Sequence, residues 1–293
     1  MNKKIVFMGT SNFAVPILKS LYQNGFPVSV VYTQPPKKSN RGQKVNKSPI
    51  HIFSETLSYE VRTPVTLKNN FQEKEFLKKL NADLVVVVAY GQIIPKDLLS
   101  LSKNGFINIH ASKLPKLRGA APIQRSLMNQ DKETGISIMK INEYLDEGPI
   151  YDIFCTEIKD NENANELSIR LANIASKKIL NCLEDIFDNK AAFQEQDHAK
   201  ATYANKIDKS EGKILWEESA KKILGKINGL YPYPGAWFIF KKERYKILKA
   251  EFSNSKGKPG SILNNNFEIG CKDFSIRIIE IQREGKKIQN INQ

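Results

Sequence analysis

Along this chain the spacing of apolar positions changes period repeatedly, and each change predicts an element. Short apolar runs at Lys4 to Met8, Val28 to Thr33 and Leu84 to Ala89 predict strands. The last of these, Leu-Val-Val-Val-Val-Ala, is what a central parallel strand buried on both faces requires. Between the runs lie segments of helical spacing. Phe13 to Gln23 has Pro16 in its first turn and Gly25 beyond its end, Phe71 to Leu80 follows, and a short segment lies near Lys96 to Leu101. Gly105 to His110 predicts one more strand and Ala120 to Asn129 one more helix. Strand followed by helix, repeated, predicts an α/β fold with a doubly wound, mostly parallel sheet.

Strand patterns return at Thr134 to Ile141 and Ile150 to Ile158. A long amphipathic helix, Ala164 to Phe187, then sets Leu167, Leu171, Ile174, Ile179 and Leu183 along one side and closes a first domain, residues 1–189. Residues 190–205 carry no clear period and predict a linker. Beyond them come a helix at Ser219 to Asn228 and five short alternating runs. These are Trp237 to Phe240, Tyr245 to Ala250, Gly260 to Leu263, Phe267 to Cys271 and Phe274 to Ile281. Short strands separated by Gly, Asn and Lys turns predict a small β domain over 206–293.

Composition narrows the class. Hydrophobic residues make up 41% and charged residues 26%, the balance of a globular protein. The longest apolar run, Leu84 to Tyr90, is far too short to span a bilayer, and Met1-Asn2-Lys3-Lys4 leads straight into a strand. A cytoplasmic protein without a membrane partner is expected. Cys155, Cys182 and Cys271 are scattered and lack metal-ligand spacing, so neither a disulfide nor a zinc site is expected. Charge adds a partner class. The net charge is +14, and residues 200–293 hold 19 Lys/Arg against 10 Asp/Glu. An excess concentrated in the second domain points to a polyanion there, although a Lys-rich composition raises charge everywhere.

The densest chemistry lies in Ile107-Asn108-Ile109-His110-Ala111-Ser112-Lys113-Leu114-Pro115 and the Lys116-Leu117-Arg118-Gly119-Ala120-Ala121-Pro122-Ile123 that follows. Residues two apart on a strand share a face, so the Asn108 amide and His110 imidazole can converge on one small ligand. Such a pair suits an oxygen that becomes negative at a carbonyl carbon. Asp146 precedes a Gly-Pro-containing turn, on a loop free to face the same cleft, where a carboxylate would orient the imidazole and relay protons. By spacing alone a strand-end His is more often a hydrogen-bonded structural residue than a catalytic one. Gly9-Thr10-Ser11-Asn12-Phe13-Ala14 supplies one glycine only, so a dinucleotide fingerprint is absent.

The run Asn108-Xaa-His110-Xaa-Ser112-Xaa-Leu114-Pro115, then Arg118-Gly119-Ala120-Ala121-Pro122-Ile123 and Leu145-Asp146-Xaa-Gly148 downstream, resembles the folate-dependent formyltransferases. Within them it is most similar to those acting on charged initiator tRNA. The likeness extends from Met8-Gly9-Thr10 to Tyr233-Pro234-Gly235-Ala236-Trp237, nearly the whole chain. It implies a Rossmann-like formyltransferase domain followed by an OB-like barrel. It implies transfer of the formyl group of 10-formyltetrahydrofolate to the α-amine of methionyl-initiator tRNA, by a monomer and without a metal. Asn108, His110 and Asp146 would be catalytic. Ser112, Lys113, Leu114 and Pro115 would line the folate site, with Lys113 standing where the family has an apolar residue. Arg118 would lie near the substrate, or simply pair with an acid.

The segment Gln34 to Pro49 carries Lys37, Lys38, Arg41, Lys44 and Lys47 and no acid. It is expected to be a sixteen-residue structureless loop, a length at which loops are functional or disordered. The resemblance places here a loop that enters the acceptor stem. Lys37, Lys38, Arg41 and Lys44 become tRNA-binding candidates, and Arg41-Gly42 matches the family's Arg-Gly. Pro36-Lys37-Lys38-Ser39-Asn40 departs from the usual Pro-Asp-Arg-Pro-Ala-Gly. The rigid aromatic run Tyr231 to Trp237 allows base stacking, but core packing is its ordinary use. Two other functions are open: the same chemistry on a nucleotide-sugar amine, a ribonucleotide amine or water, and a non-catalytic RNA-binding protein. The cationic loop and basic second domain favour RNA, and the intact Asn/His/Asp set favours an enzyme.

Overall fold

The computed structural model describes residues 3–39 and 44–291. In chain order the first part runs β1 (Ile5–Gly9), α1 (Val15–Gln23), β2 (Val28–Tyr32), β3 (Lys37–Ser39), β4 (Lys44–Asn46), α2 (Pro49–Thr56) and β5 (Val61–Arg62). It continues with α3 (Phe71–Leu80), β6 (Leu84–Val88), α4 (Lys96–Leu99), β7 (Phe106–His110), α5 (Pro122–Met128), β8 (Glu133–Lys140), β9 (Ile150–Glu157) and α6 (Ala164–Phe187). Seven strands form one sheet in the order β5-β2-β1-β6-β7-β8-β9. The pairs from β5 to β7 are parallel, and β8 joins β7 antiparallel. This is the mostly parallel α/β sheet that the period changes predict.

The central strands β1 and β6 are buried at every position. On one face Val6, Met8, Val30, Val85, Val87 and Phe106 pack with Leu77 of α3. Local signals fix the helices that cover the sheet. Asn70 caps α3 by accepting from the Glu73 N–H at 3.1 Å, and Asn81 ends it in the left-handed region at φ +47°. Helix α6 buries Leu167, Leu171, Ile179 and Leu183 completely. Among the described residues, no helix is long and apolar enough to cross a membrane.

Two expectations need correction. The acid-free segment after β2 is not structureless: β3 and β4 pair antiparallel, Lys37 with Asn46, Lys38 with Val45 and Ser39 with Lys44. A two-stranded ladder satisfies backbone groups that a long loop would leave to water, at no demand for an apolar face. The predicted strand at Gly260 to Leu263 is reduced to a single bridge between Ile262 and Ile269. Gly260, at φ +77° after Pro259, makes a turn there and donates to the Gly270 carbonyl.

Close contacts divide the chain into two units. The first comprises Met1–Arg118, Gly135–Cys155 and Ile169–Thr202; the second comprises Gly119–Thr134, Thr156–Ser168 and Tyr203–Gln293. The second unit therefore contains α5. Its remaining elements are α7 (Ala220–Gly229), β10 (Ala236–Phe240), β11 (Glu243–Ser253), β12 (Glu268–Gly270), β13 (Ser275–Arg283) and β14 (Gln289–Asn290). The strands form an antiparallel sheet in the order β10-β11-β13-β12, with β14 also on β13, and it curls as a half-barrel. Register shifts around Lys249 in β11 supply local bending of the kind that curls a sheet. Ile223 and Ile227 of α7 pack with Ile247, Ile276 and Ile278 of the sheet. Helices α5 and α7 approach through glycine: a Cβ on Gly225 would lie 2.9 Å from the Leu127 carbonyl oxygen and 3.0 Å from that of Met128. Of the aromatic run, Ala236 is buried but Tyr233 is 65% exposed, so core packing accounts for only part of it.

Candidate active site

Strand β7 carries Asn108 and His110 on one face, as the period of two requires. Asn108 is registered against Val87 of β6 on one side and Met139 of β8 on the other, and His110 against Ser137. Both thus stand where the sheet's strands end, the edge at which α/β folds form clefts. Asp146 comes to them from the loop between β8 and β9, held at φ +52°. Asn108 Nδ2 donates to Asp146 Oδ1 at 3.3 Å, and His110 Nδ1 lies 3.5 Å from Asp146 Oδ2. The three candidates meet around one carboxylate, with His110 only 6% exposed. Both distances exceed the 2.7–2.9 Å typical of a charge-assisted hydrogen bond. Catalytic hydrogen bonds are commonly long without substrate and tighten in its presence.

The other ring nitrogen is also engaged. His110 Nε2 lies 2.8 Å from the Leu117 carbonyl oxygen, which can only accept, so Nε2 carries a proton. That bond fixes the ring plane and leaves Nδ1 facing the carboxylate. Leu117 itself sits at φ +60°, so two backbone positions around the imidazole occupy the left-handed region that non-glycine residues rarely adopt.

The turn after β7 is held from inside. Ser112 is fully buried; its Oγ donates to the Lys116 carbonyl at 2.7 Å, while its own carbonyl accepts from Ser137 Oγ at 2.7 Å. Ser137 Oγ in turn accepts from the Leu114 N–H at 3.1 Å. Leu114 is buried, and Lys113 and Pro115 are half-buried. A Cβ on Gly135 would come within 3.2 Å of Lys113 Cγ, so the stem of Lys113 lies across β8.

Arg118 takes the blander of its two readings. It is 1% exposed and pairs with an acid, Nη1 to Glu147 Oε1 at 3.0 Å. Its Nε and Nη2 both donate to Gln196 Oε1, at 3.1 and 2.8 Å. Gln196 and Glu147 carry no motif, and nothing in the spacing of the sequence marks them.

At the far end of the same strand edge stands the basic hairpin. Its base is tied down: Thr33 Oγ1 and Ser48 Oγ are 2.6 Å apart, and Gln34 Nε2 donates to the Tyr90 and Gly91 carbonyls at 3.1 and 2.9 Å. Lys37 is exposed and donates to Gln34 Oε1. Lys38 lies on β3 and Lys44 on β4, while Arg41 falls outside the described residues. The cysteines are free thiols; burial pushes Cys182 up to about 12 and Cys271 up to about 11, far from reactive. Among the described residues no group of three or more His, Cys, Asp or Glu side chains is placed to hold a metal.

Two family models match the chain over these two regions. Residues 3–183 match the formyl transferase family and residues 206–293 its C-terminal domain, and the chain belongs to the formyltransferase family. Among its relatives are the methionyl-tRNA formyltransferases of Pelagibacter ubique, 63% identical over all of this chain and 95% of that one, and of Rickettsia bellii, 38% identical over 99% and 95%. Solved structures share the fold. The sugar 3N-formyl transferase WlaRD aligns with a TM-score of 0.73 at 22% identity, covering 98% of this chain and all of that one. An N-formyltransferase from Helicobacter canadensis aligns at 0.72 with 20% identity, covering 97% and 100%.

Proposed function

We infer that this chain transfers the formyl group of 10-formyltetrahydrofolate to the α-amine of methionyl-initiator tRNA. One observation carries the reading: the 63% identity to a methionyl-tRNA formyltransferase spans the whole chain, and so both matched regions. Relatives that formylate sugars share the fold at 22% identity or less, which argues for the tRNA acceptor over a nucleotide-sugar one. The charged tRNA and the reduced folate are cytoplasmic molecules, and the enzyme is proposed to work there as a monomer.

The donor set fits the chemistry. 10-Formyltetrahydrofolate supplies a formyl carbon on an aryl nitrogen, an amide already weakened towards attack. Asn108 Nδ2 is a donor for the oxygen that gains negative charge, and it needs only to leave a 3.3 Å contact to serve. His110, its Nε2 proton held on the Leu117 carbonyl, presents Nδ1 to Asp146 and can donate from it to the same oxygen when the ring carries a second proton. The methionyl amine, once its first proton has gone to water, attacks the formyl carbon. Asp146 takes the proton that the attacking nitrogen then sheds and hands it to N10 of the folate as the bond from the formyl carbon to N10 breaks. The turn of Ser112, Lys113, Leu114 and Pro115 is proposed to receive the folate through its backbone. Lys37, Lys38, Arg41 and Lys44 are proposed to meet acceptor-stem phosphates and base edges, and residues 206–293 the body of the tRNA. The direct test is formyl transfer from labelled folate to charged initiator tRNA, run beside a nucleotide-sugar amine and water as acceptors.

A further inference from the structure

We propose that Gln196 and Arg118 are positioning residues for Asp146, a clamp that reaches the active-site loop from the segment between the two family-matched regions. The proposal rests on Asp146 being the proton acceptor named above. Gln196 is 6% exposed and its amide is used on both sides. Nε2 donates to the Asp146 carbonyl at 2.9 Å and to the Gly148 carbonyl at 2.8 Å. Oε1 accepts twice from Arg118. Only one orientation of the amide satisfies two carbonyls on one side and a guanidinium on the other, so its direction is determined.

Arg118 closes the ring. Nη1 pairs with Glu147, the residue between the two carbonyls that Gln196 holds. The peptides flanking Asp146 and Glu147 are thereby gripped by two carbonyls and one carboxylate, all tracing back to a single buried cation. The grip falls on a residue at φ +52°, a conformation that persists only where the surroundings over-determine it. His198 adds an outer contact, its Nδ1 3.2 Å from Arg118 Nη2 and 3.7 Å from Glu147 Oε2.

The carrying segment is itself anchored. Ile150 and Gln194 exchange both backbone hydrogen bonds at 2.8 Å, and the Arg118 N–H donates to the Thr202 carbonyl at 2.8 Å. Leu117, whose carbonyl holds His110, donates its N–H to Thr202 Oγ1 at 2.9 Å. The same strap therefore fixes both sides of the contact between His110 and Asp146. Residues 184–205, which neither family model covers, supply it.

The test is the isosteric variant Gln196→Glu beside Asp146→Asn, with kcat, KM for each substrate, the pH profile and thermal unfolding measured for all. A carboxylate at 196 keeps Arg118 satisfied but turns an acceptor towards two carbonyls. Displacing a reacting group by ~1 Å costs about a hundredfold in rate, so kcat should fall by about ten- to a hundredfold while KM values hold. As pH falls into the carboxyl range, Glu at this position regains an O–H donor, and the variant-to-wild-type ratio of kcat should rise. If Gln196→Glu does not fold, Arg118→Lys, which keeps the charge but cannot fork onto Oε1, should lower kcat in a folded protein. Wild-type kcat at every pH in Gln196→Glu, with Asp146→Asn impaired, overturns the clamp alone. Wild-type kcat in Asp146→Asn overturns the role of Asp146 and the clamp with it. Failure of both clamp variants to fold makes the network a stability element and also overturns the proposal.

Discussion

The two ends of the catalytic sheet's edge are built on opposite terms. Beyond β7, His110, Ser112 and Arg118 are buried, and the polar atoms described above meet partners at hydrogen-bonding distance. Beyond β2, the hairpin of β3 and β4 carries an exposed Lys37 and an acid-free run of cations, and its base is tied to the sheet. Burial and exposure serve different chemistry. A reacting carbonyl needs donors fixed in advance, because reorganisation at the moment of reaction raises the barrier. A phosphate backbone needs charge that water leaves accessible, and its attraction is long-ranged and tolerant of geometry. Substitution should therefore hit rate at one end and affinity or selectivity at the other.

The comparison breaks most visibly at His110. His110→Ala should lower kcat by about two orders of magnitude or more, the scale of a lost oxyanion donor or acid–base group. Both KM values should stay close to wild type in steady-state assays. A comparable rise in KM with kcat intact would assign the imidazole to binding and erase the contrast.

A second bonded cation tests whether burial alone sets the size of an effect. In the second unit Arg125 donates to both oxygens of Glu211, at 2.6 and 3.0 Å, and to the Asn205 carbonyl at 3.1 Å. Those hydrogen bonds hold the Glu211 carboxyl below the usual carboxylate range. A depressed folded-state value contributes stability above the unfolded value and loses it as pH falls through the folded one. Arg125→Met should therefore destabilise the protein by about 1.5–3 kcal/mol at neutral pH, the worth of hydrogen bonds to a charged group. Most of that difference should vanish in denaturation curves taken below the carboxylate range. A difference independent of pH would show that the side chain acts by packing.

How far the sequence carries follows the same division. The α3 and α6 helices have the bounds their spacing predicts, and the uninterrupted apolar run at β6 is the central strand. Asn108 and His110 were legible because a period of two puts them on one face, and Asp146 because a turn frees it. Gln196 was not legible. An amide in a segment without period has no signature, and its meaning comes only from the burial of Arg118 beside it. The hairpin leaves no period in the sequence because its strands alternate no apolar face; backbone pairing, which leaves little trace in side-chain type, is what forms it.

Smaller effects lie at the exposed end. An Arg fork can donate to a base edge and a phosphate together, whereas Lys supplies a point charge. Arg41→Ala should therefore lower discrimination between matched and mismatched acceptor stems by about 1–3 kcal/mol. Arg41→Lys should restore affinity better than selectivity, read from ratios of kcat/KM. An unchanged ratio would make Arg41 an ordinary solvated cation. Least of all, Lys37→Ala should weaken binding equally for every tRNA and reduce the salt dependence of log Kd by about one unit of slope.

The most direct measurement is single-turnover transfer of labelled formyl from 10-formyltetrahydrofolate, with charged initiator tRNA, charged elongator tRNA, a nucleotide-sugar amine and water as competing acceptors. Label should reach the methionyl amine of the initiator tRNA first and fastest in the wild-type chain, and should fail to do so in His110→Ala although the tRNA still binds. Label passing to the sugar amine or to water in preference to the tRNA, or equal transfer by the His110→Ala variant, would contradict the account.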